Sequence, residues 1–169
     1  VGFAERLARR MPREPKRSAR LGERFHEWVM ALFSVNPGFE ELEFRASVEE
    51  PGLERLKRAF EASRFANLTP LGIEVPFLLR WESLVLRGRI DAVFPSDDPA
   101  FDALVVDWKI GDSDADPLQL AIYRQAWAKA NGLEPGRVAT AFHHVLANRL
   151  EPVVAGPELI RAATEAIIP

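Results

Sequence analysis

The strongest constraint on the fold is a change of period in the middle of the chain. In the first third, apolar residues recur at helical spacing. Leu21, Phe25, Trp28, Val29 and Leu32 predict a helix over 19–33, closed by Asn36-Pro37-Gly38. Leu53, Leu56, Ala59 and Phe60 predict a second over 53–65, opened by Pro51-Gly52. From residue 72 the pattern becomes three runs rich in Val, Ile, Leu and Phe, at 72–80, 83–94 and 101–110. Short turns at Trp81-Glu82 and at 95–99 separate them, as expected of three consecutive antiparallel strands. A loop of small and acidic residues follows at 111–116. Pro117 stands where a first helical residue belongs, and a helix over 118–131 is closed by Gly132. A fourth strand over 138–146 and a terminal helix over 158–168 complete the order. A helix between the third and fourth strands permits a parallel, right-handed crossover. The expected class is α/β, a mixed central sheet flanked by helices.

The chain of 169 residues is long enough to bury its own core, and at 47% hydrophobic it has the material for one. It is expected to form a single domain over 1–169. Within it, 1–19 is a basic arm or linker, 20–150 the core and 151–169 a tail helix. Cysteine is absent, which excludes disulfides, zinc–thiolate sites and a cysteine-held iron–sulfur cluster. No apolar run approaches the roughly 18 residues of a spanning helix, and no secretory signal is present. The expected compartment is therefore the cytoplasm, with no membrane partner. The first residue is Val1, which suggests a piece of a longer protein with a neighbour upstream. Residues 1–24 carry eight basic and three acidic residues, a net +5, leaving −8 for the rest of a chain whose total is −3. Such an arm can contact phosphates or simply serve as a solvated linker.

Chemistry-bearing residues gather in three segments. Gly88-Arg89-Ile90-Asp91 lies late in the second strand and Val105-Val106-Asp107-Trp108-Lys109 late in the third. Gln119 to Tyr123 lies in the following helix. Asp107 and Lys109 are two apart on a strand, so both project from the face shared by Val105, with Val106 and Trp108 opposite. Asp91 closes the neighbouring strand and is expected beside Asp107. Two carboxylates and an ammonium at adjacent strand ends suit a hard cation such as Mg2+ or Mn2+. Such an ion polarises a phosphodiester and acidifies a bound water, which Lys109 would orient. Gln119 and Tyr123, at i and i+4, share a helix face from which to reach a nucleic-acid backbone or buttress Lys109. His26, among core residues of the first helix, is a competent metal ligand. Gly22, one turn earlier, would admit a close neighbour.

Together these segments resemble the motif series of RecB-family nucleases, members of the PD-(D/E)XK superfamily. The residues are Gly88-Arg89-Ile90-Asp91, Asp107-Trp108-Lys109 and Gln119-Leu120-Ala121-Ile122-Tyr123. Glu74-Val75-Pro76-Phe77 resembles the family's strand entry, and Leu21-Gly22 through His26 its N-terminal helix motif. Ala141-Phe142-His143-His144-Val145 is similar to the later strand of the C-terminal nuclease domain of actinobacterial UvrD-like, AdnB-type helicase–nucleases. The resemblance spans roughly 20–150. It implies a restriction-endonuclease-like core in which His26, Asp91, Asp107 and the backbone carbonyl of Trp108 bind metal. Lys109 would be the catalytic lysine, Gln119 and Tyr123 an accessory pair, and Glu74 an extra carboxylate. It also implies a DNA substrate, single-stranded, and an upstream helicase in the same polypeptide that acts in double-strand-break processing, with a second helicase–nuclease subunit as partner. Ile110 departs from the Thr usual after the lysine. No Gly-x-x-x-x-Gly-Lys-Ser/Thr loop is present, so the chain is not itself the motor.

Two other readings stay open on the residues alone. One is a catalytically weak DNA-binding or subunit-assembly module, and the other a stand-alone endonuclease or resolvase. Asp-x-Lys by itself is a common pair on solvated strand ends. The adjacent His143 and His144 must face opposite sides of their strand and are expected to be structural or surface groups.

Overall fold

The computed structural model describes residues 17–34, 50–111 and 115–166, with side chains from residue 19. The arm at 1–16, the Asn36-Pro37-Gly38 stop and Asp112 and Asp114 of the acidic loop lie outside the described residues. Helix α1 (Arg17–Phe33) and helix α2 (Pro51–Glu61) come first, then a 3-10 turn, Arg64–Asn67. Strands β1 (Gly72–Trp81), β2 (Leu84–Pro95) and β3 (Ala103–Lys109) follow, then helix α3 (Pro117–Asn131). Strands β4 (Val138–His144) and β5 (Arg149–Pro152) and helix α4 (Pro157–Glu165) complete the order. The sheet runs β1-β2-β3-β4-β5. Among the described strands only β3 and β4 are parallel, and α3 makes the crossover between them. The mixed sheet flanked by helices is the expected architecture.

Each face of the sheet carries its own core. On one side α3 and α4 pack Leu120, Tyr123 and Ile160 over Val93, Val105 and Phe142. On the other, α1, α2 and the 3-10 turn pack Phe25, Trp28, Phe60 and Phe65 against Ala92, Phe94, Val106 and Trp108. The rings of Phe60 and Phe65 each stand edge-on to Trp108 at 5.4 Å, the arrangement their quadrupoles favour. Asp116 caps α3 by accepting the Leu118 N–H at 3.0 Å. Gly132 ends that helix at φ 65, where a side chain would be strained.

Three expectations are corrected. The second helix stops at Glu61, because Ser63 starts a separate turn by accepting the Phe65 N–H, and that turn delivers Phe65 to the aromatic core. The fourth strand ends at His144, and Asn148, at φ 46, turns the chain into the unforeseen strand β5. Leu32 lies outside the buried stripe of α1, which Ala31 occupies instead.

Candidate metal and catalytic site

The site forms where the regular pairing of β2 and β3 ends. Their last ladder pair is Ala92 with Val106. One step on, the Asp91 carboxylate takes the place of a backbone carbonyl and accepts the Trp108 N–H through Oδ2 at 2.9 Å. Asp91 is thereby held beside Asp107, as the strand positions suggest. Strand β1 contributes a feature that no side-chain pattern announces. Glu74 has φ 49, the left-handed region that non-glycine residues rarely adopt. At this residue the side-chain alternation of β1 slips by one. Ile73 packs on the α1 side of the sheet, whereas Val75 packs on the α3 side. Strand β2 slips with it, with Ile90 on the α3 side and Ala92 on the α1 side. The β1–β2 register is the same on both sides of the slip, Ile73 with Ala92 and Val75 with Ile90. Glu74 and Asp91 thus stand opposite each other at the point where both strands change face.

His26 completes the cluster from α1. Its Nδ1 is hydrogen-bonded to Glu74 Oε1 at 2.6 Å, and its Nε2 lies 3.8 Å from Asp91 Oδ2. His26, Glu74 and Asp91 each present a ligand atom, all within 4.8 Å of one another. Lys109 Nζ sits 2.7 Å from Asp107 Oδ2 and 5.0 Å from the centre of the Phe142 ring, so the ammonium is buried between a carboxylate and an aromatic face. Asp107 Oδ2 is itself buried and accepts no hydrogen bond of good geometry.

Electrostatics follow from burial and like charge. Burial, then the neighbouring Asp107 carboxylate, pushes Asp91 up to about 8. Burial also raises Asp107, with the Lys109 ammonium pulling it partly back. Burial lowers the His26 imidazole, but the Glu74 hydrogen bond and the surrounding carboxylates outweigh it and leave His26 above its ordinary value. A divalent cation relieves such crowding. The donor set of one imidazole and two carboxylates, with the Asp107 carboxylate buried beside it, fits one.

Most of the residues singled out in the sequence come together here. Gln119 and Tyr123 do so as a bonded pair. Gln119 Nε2 donates to Tyr123 Oη at 2.7 Å, and among the described residues neither bonds Lys109. Burial and then the Asp91 and Asp107 charges hold the Tyr123 phenol protonated far above its ordinary range. Tyr123 stacks edge-on with Phe77 at 5.8 Å, and Phe77 in turn covers Gly88. A Cβ on Gly88 would meet that ring at 3.0 Å, which accounts for glycine there. Beside Gly22 there is open space to 4 Å, so no neighbour approaches it. His143 is buried edge-on to Phe65 and Trp108, whereas His144 bonds Glu151 at 2.6 Å on the opposite face.

Contrary to the expectation from the sequence, Asp91 does not close its strand but lies inside β2, which runs on to Pro95, at the point where β2 and β3 part. A mixed sheet with two carboxylates and a lysine where its second and third strands part defines a class of nuclease fold. The chain belongs to the PD-(D/E)XK nuclease superfamily, whose sequence profile matches residues 3–167. No curated protein matches the sequence. Among solved structures it is similar to a crystal structure from Eubacterium rectale named "Putative exonuclease", with a TM-score of 0.58 and 12% identity. The match covers 97% of this chain and 68% of the other. At that identity the likeness speaks for the fold alone.

Proposed function

We propose that this chain is a metal-dependent deoxyribonuclease that hydrolyses phosphodiester bonds. The observation that carries the reading is the meeting of His26, Glu74 and Asp91 beside the buried Asp107–Lys109 pair at one end of the sheet. His26, Glu74, Asp91, Asp107 and the Trp108 backbone carbonyl would hold the ion, with magnesium or manganese the fitting choices. A bound ion supplies Lewis acidity and an acidified water. The residues do the remaining work. Glu74 fixes the rotation of the His26 ring through Nδ1, leaving Nε2 turned toward Asp91. The Trp108 N–H fixes one oxygen of Asp91. Lys109, anchored by Asp107 and Phe142, places a positive charge where the attacking water and the non-bridging phosphate oxygens gather charge. The Gln119–Tyr123 pair closes the helix side of the site and presents a neutral phenol.

The finer reading is a nuclease domain of an ATP-dependent helicase–nuclease, fed a single strand during double-strand-break processing. It is supported by the motif series and by the −8 charge of residues 25–169, which favours delivery of DNA by a motor over unaided capture. Incubating the chain with single-stranded DNA and Mn2+ or Mg2+ tests the activity. Cleavage that stops with chelator and with Asp107→Asn is the expected result. Metal-independent cleavage, or full cleavage by the variant, refutes the assignment.

A further inference from the structure

Past the site, the β1–β2 hairpin has two unlike faces. Val75, Phe77, Leu79, Trp81, Leu86 and Ile90 belong to the core under α3. The residues between them, Pro76, Leu78, Arg80, Val85, Arg87 and Arg89, are all exposed. Their register is Pro76 with Arg89, Leu78 with Arg87 and Arg80 with Val85, so each of three consecutive rows carries one guanidinium. Rows two residues apart are spaced about 6.7 Å along a strand. Among the described residues none of the three arginines has an ion pair or a side-chain hydrogen bond. The hairpin's other charges are Glu82 at its turn and Glu74 and Asp91 at its base. Leu78 is 71% exposed and Val85 51%, which puts aliphatic surface between the cations.

We propose that this face is a track for the backbone of a single DNA strand, running along the hairpin to the site. The proposal rests on the deoxyribonuclease reading. Charge complementarity selects the occupant: three cations without carboxylate partners stand in a row on a chain whose net charge is −3. Their spacing suits successive phosphates of an extended strand, with sugars and bases against Leu78 and Val85. The track is continuous with the chemistry, because Arg89 is two residues from Asp91 on the same strand. It also places basic contacts on an acidic body, outside the N-terminal arm. Arginine suits the task because its planar fork of donors matches phosphate oxygens.

The test replaces Arg80, Arg87 and Arg89 together with Gln in the full chain. A control triple, Arg55→Gln, Arg58→Gln and Arg161→Gln, removes the same charge from exposed positions on α2 and α4. Binding of a fluorescent 20-nucleotide oligo-dT is measured by anisotropy across a salt series, with cleavage measured in Mn2+. Losing three phosphate contacts should lower the log–log salt slope by about 2 and weaken binding roughly a hundredfold at 0.1 M salt. The rate on a dinucleotide, whose one phosphate fills the site and leaves none for the track, should be unchanged. Equal loss in the control triple would reduce the effect to net charge and overturn the proposal. So would an unchanged slope in the hairpin triple while the wild type cleaves DNA. A wild-type dimer that the hairpin triple converts to a monomer would assign the face to a second copy instead, which also overturns it. If the wild type neither binds nor cleaves DNA, the deoxyribonuclease reading fails, and the track fails with it.

Discussion

Asp91→Asn should stabilise the metal-free protein at alkaline pH and leave it nearly unchanged in acid. The Asp91 carboxyl is buried and pushed up to about 8 from an ordinary 3.8. Between those limits the native chain holds a proton that the unfolded chain has released. Stability therefore falls as pH climbs through this window, and the penalty is complete above about pH 8. At about 1.4 kcal/mol per pH unit, the upper limit is roughly 6 kcal/mol. Relaxation of real buried sites, equivalent to an effective dielectric near 20, brings this to about 2–3 kcal/mol. Asparagine carries no charge, and its Oδ1 can still accept the Trp108 N–H. For a domain of this size each kcal/mol moves Tm by about 2–4 °C, so the variant should melt about 5–10 °C higher at pH 8.5. At pH 5 the gap should close to about 2 °C or less. Calorimetric or circular-dichroism melts in chelator at both values provide the test, and the difference between proteins cancels background titration. A gap that is the same at both pH values, or reversed at pH 8.5, would refute the claim that Asp91 bears the burden of the carboxylate cluster.

Three further outcomes follow from the same contacts. His26→Ala should weaken Mn2+ binding about tenfold and Mg2+ binding less, since imidazole suits manganese better; titration calorimetry giving equal Mn2+ affinities would remove His26 from the ligand set. Asp107→Asn should lower the cleavage rate at least about a hundredfold and, by removing the counter-charge of the buried Lys109 ammonium, lower Tm as well. Asp107→Ala should lose about 1–2 kcal/mol more, because it also removes the oxygen that Lys109 contacts, and equal Tm values for the two variants would contradict that contact. Gly88→Ala should cost about 1–2 kcal/mol against the Phe77 ring, and the loss should be recovered in part by Phe77→Leu; urea melts of the single and double variants check it.

Much of this was legible in the chain because period and chemistry coincide. Asp107 and Lys109 share a face by strand parity, and Val105 and Val106 pack on opposite sides as that parity requires. Pro117 and Gly132 bracket α3 within a residue of where their chemistry places it. What stayed hidden depends on single backbone angles or on few residues. Strand β5 is the four residues Arg149–Pro152, too short to show a period. The Phe65 turn reads as the tail of α2 until Ser63 is seen to cap it. Glu74 was expected as an extra carboxylate through the family resemblance, but the left-handed backbone that places it is encoded by no side-chain pattern. Helical spacing puts Gln119 and Tyr123 on one face, as their mutual bond requires, but does not give what else that face meets, such as Phe77 against Tyr123.

The slip at Glu74 explains why so much polar burial is tolerated in one place. Without it, strand alternation would put Ile73 and Val75 on the same face, and one of the two cores would lose an aliphatic contribution. With it, both strands feed both cores, and the residues at the crossing, Glu74 and Asp91, are those whose side chains belong to neither. The left-handed backbone at Glu74 costs about 1 kcal/mol, and the buried carboxylates add to it. Against that stands the aromatic cluster directly behind Trp108, where loss of one ring such as Phe65 would cost about 3–5 kcal/mol. The Trp108 N–H that anchors Asp91 comes from a residue packed against Phe60, Phe65 and Phe94. The rigidity of the core is thus passed through one backbone amide to the carboxylate on which the proposed chemistry depends.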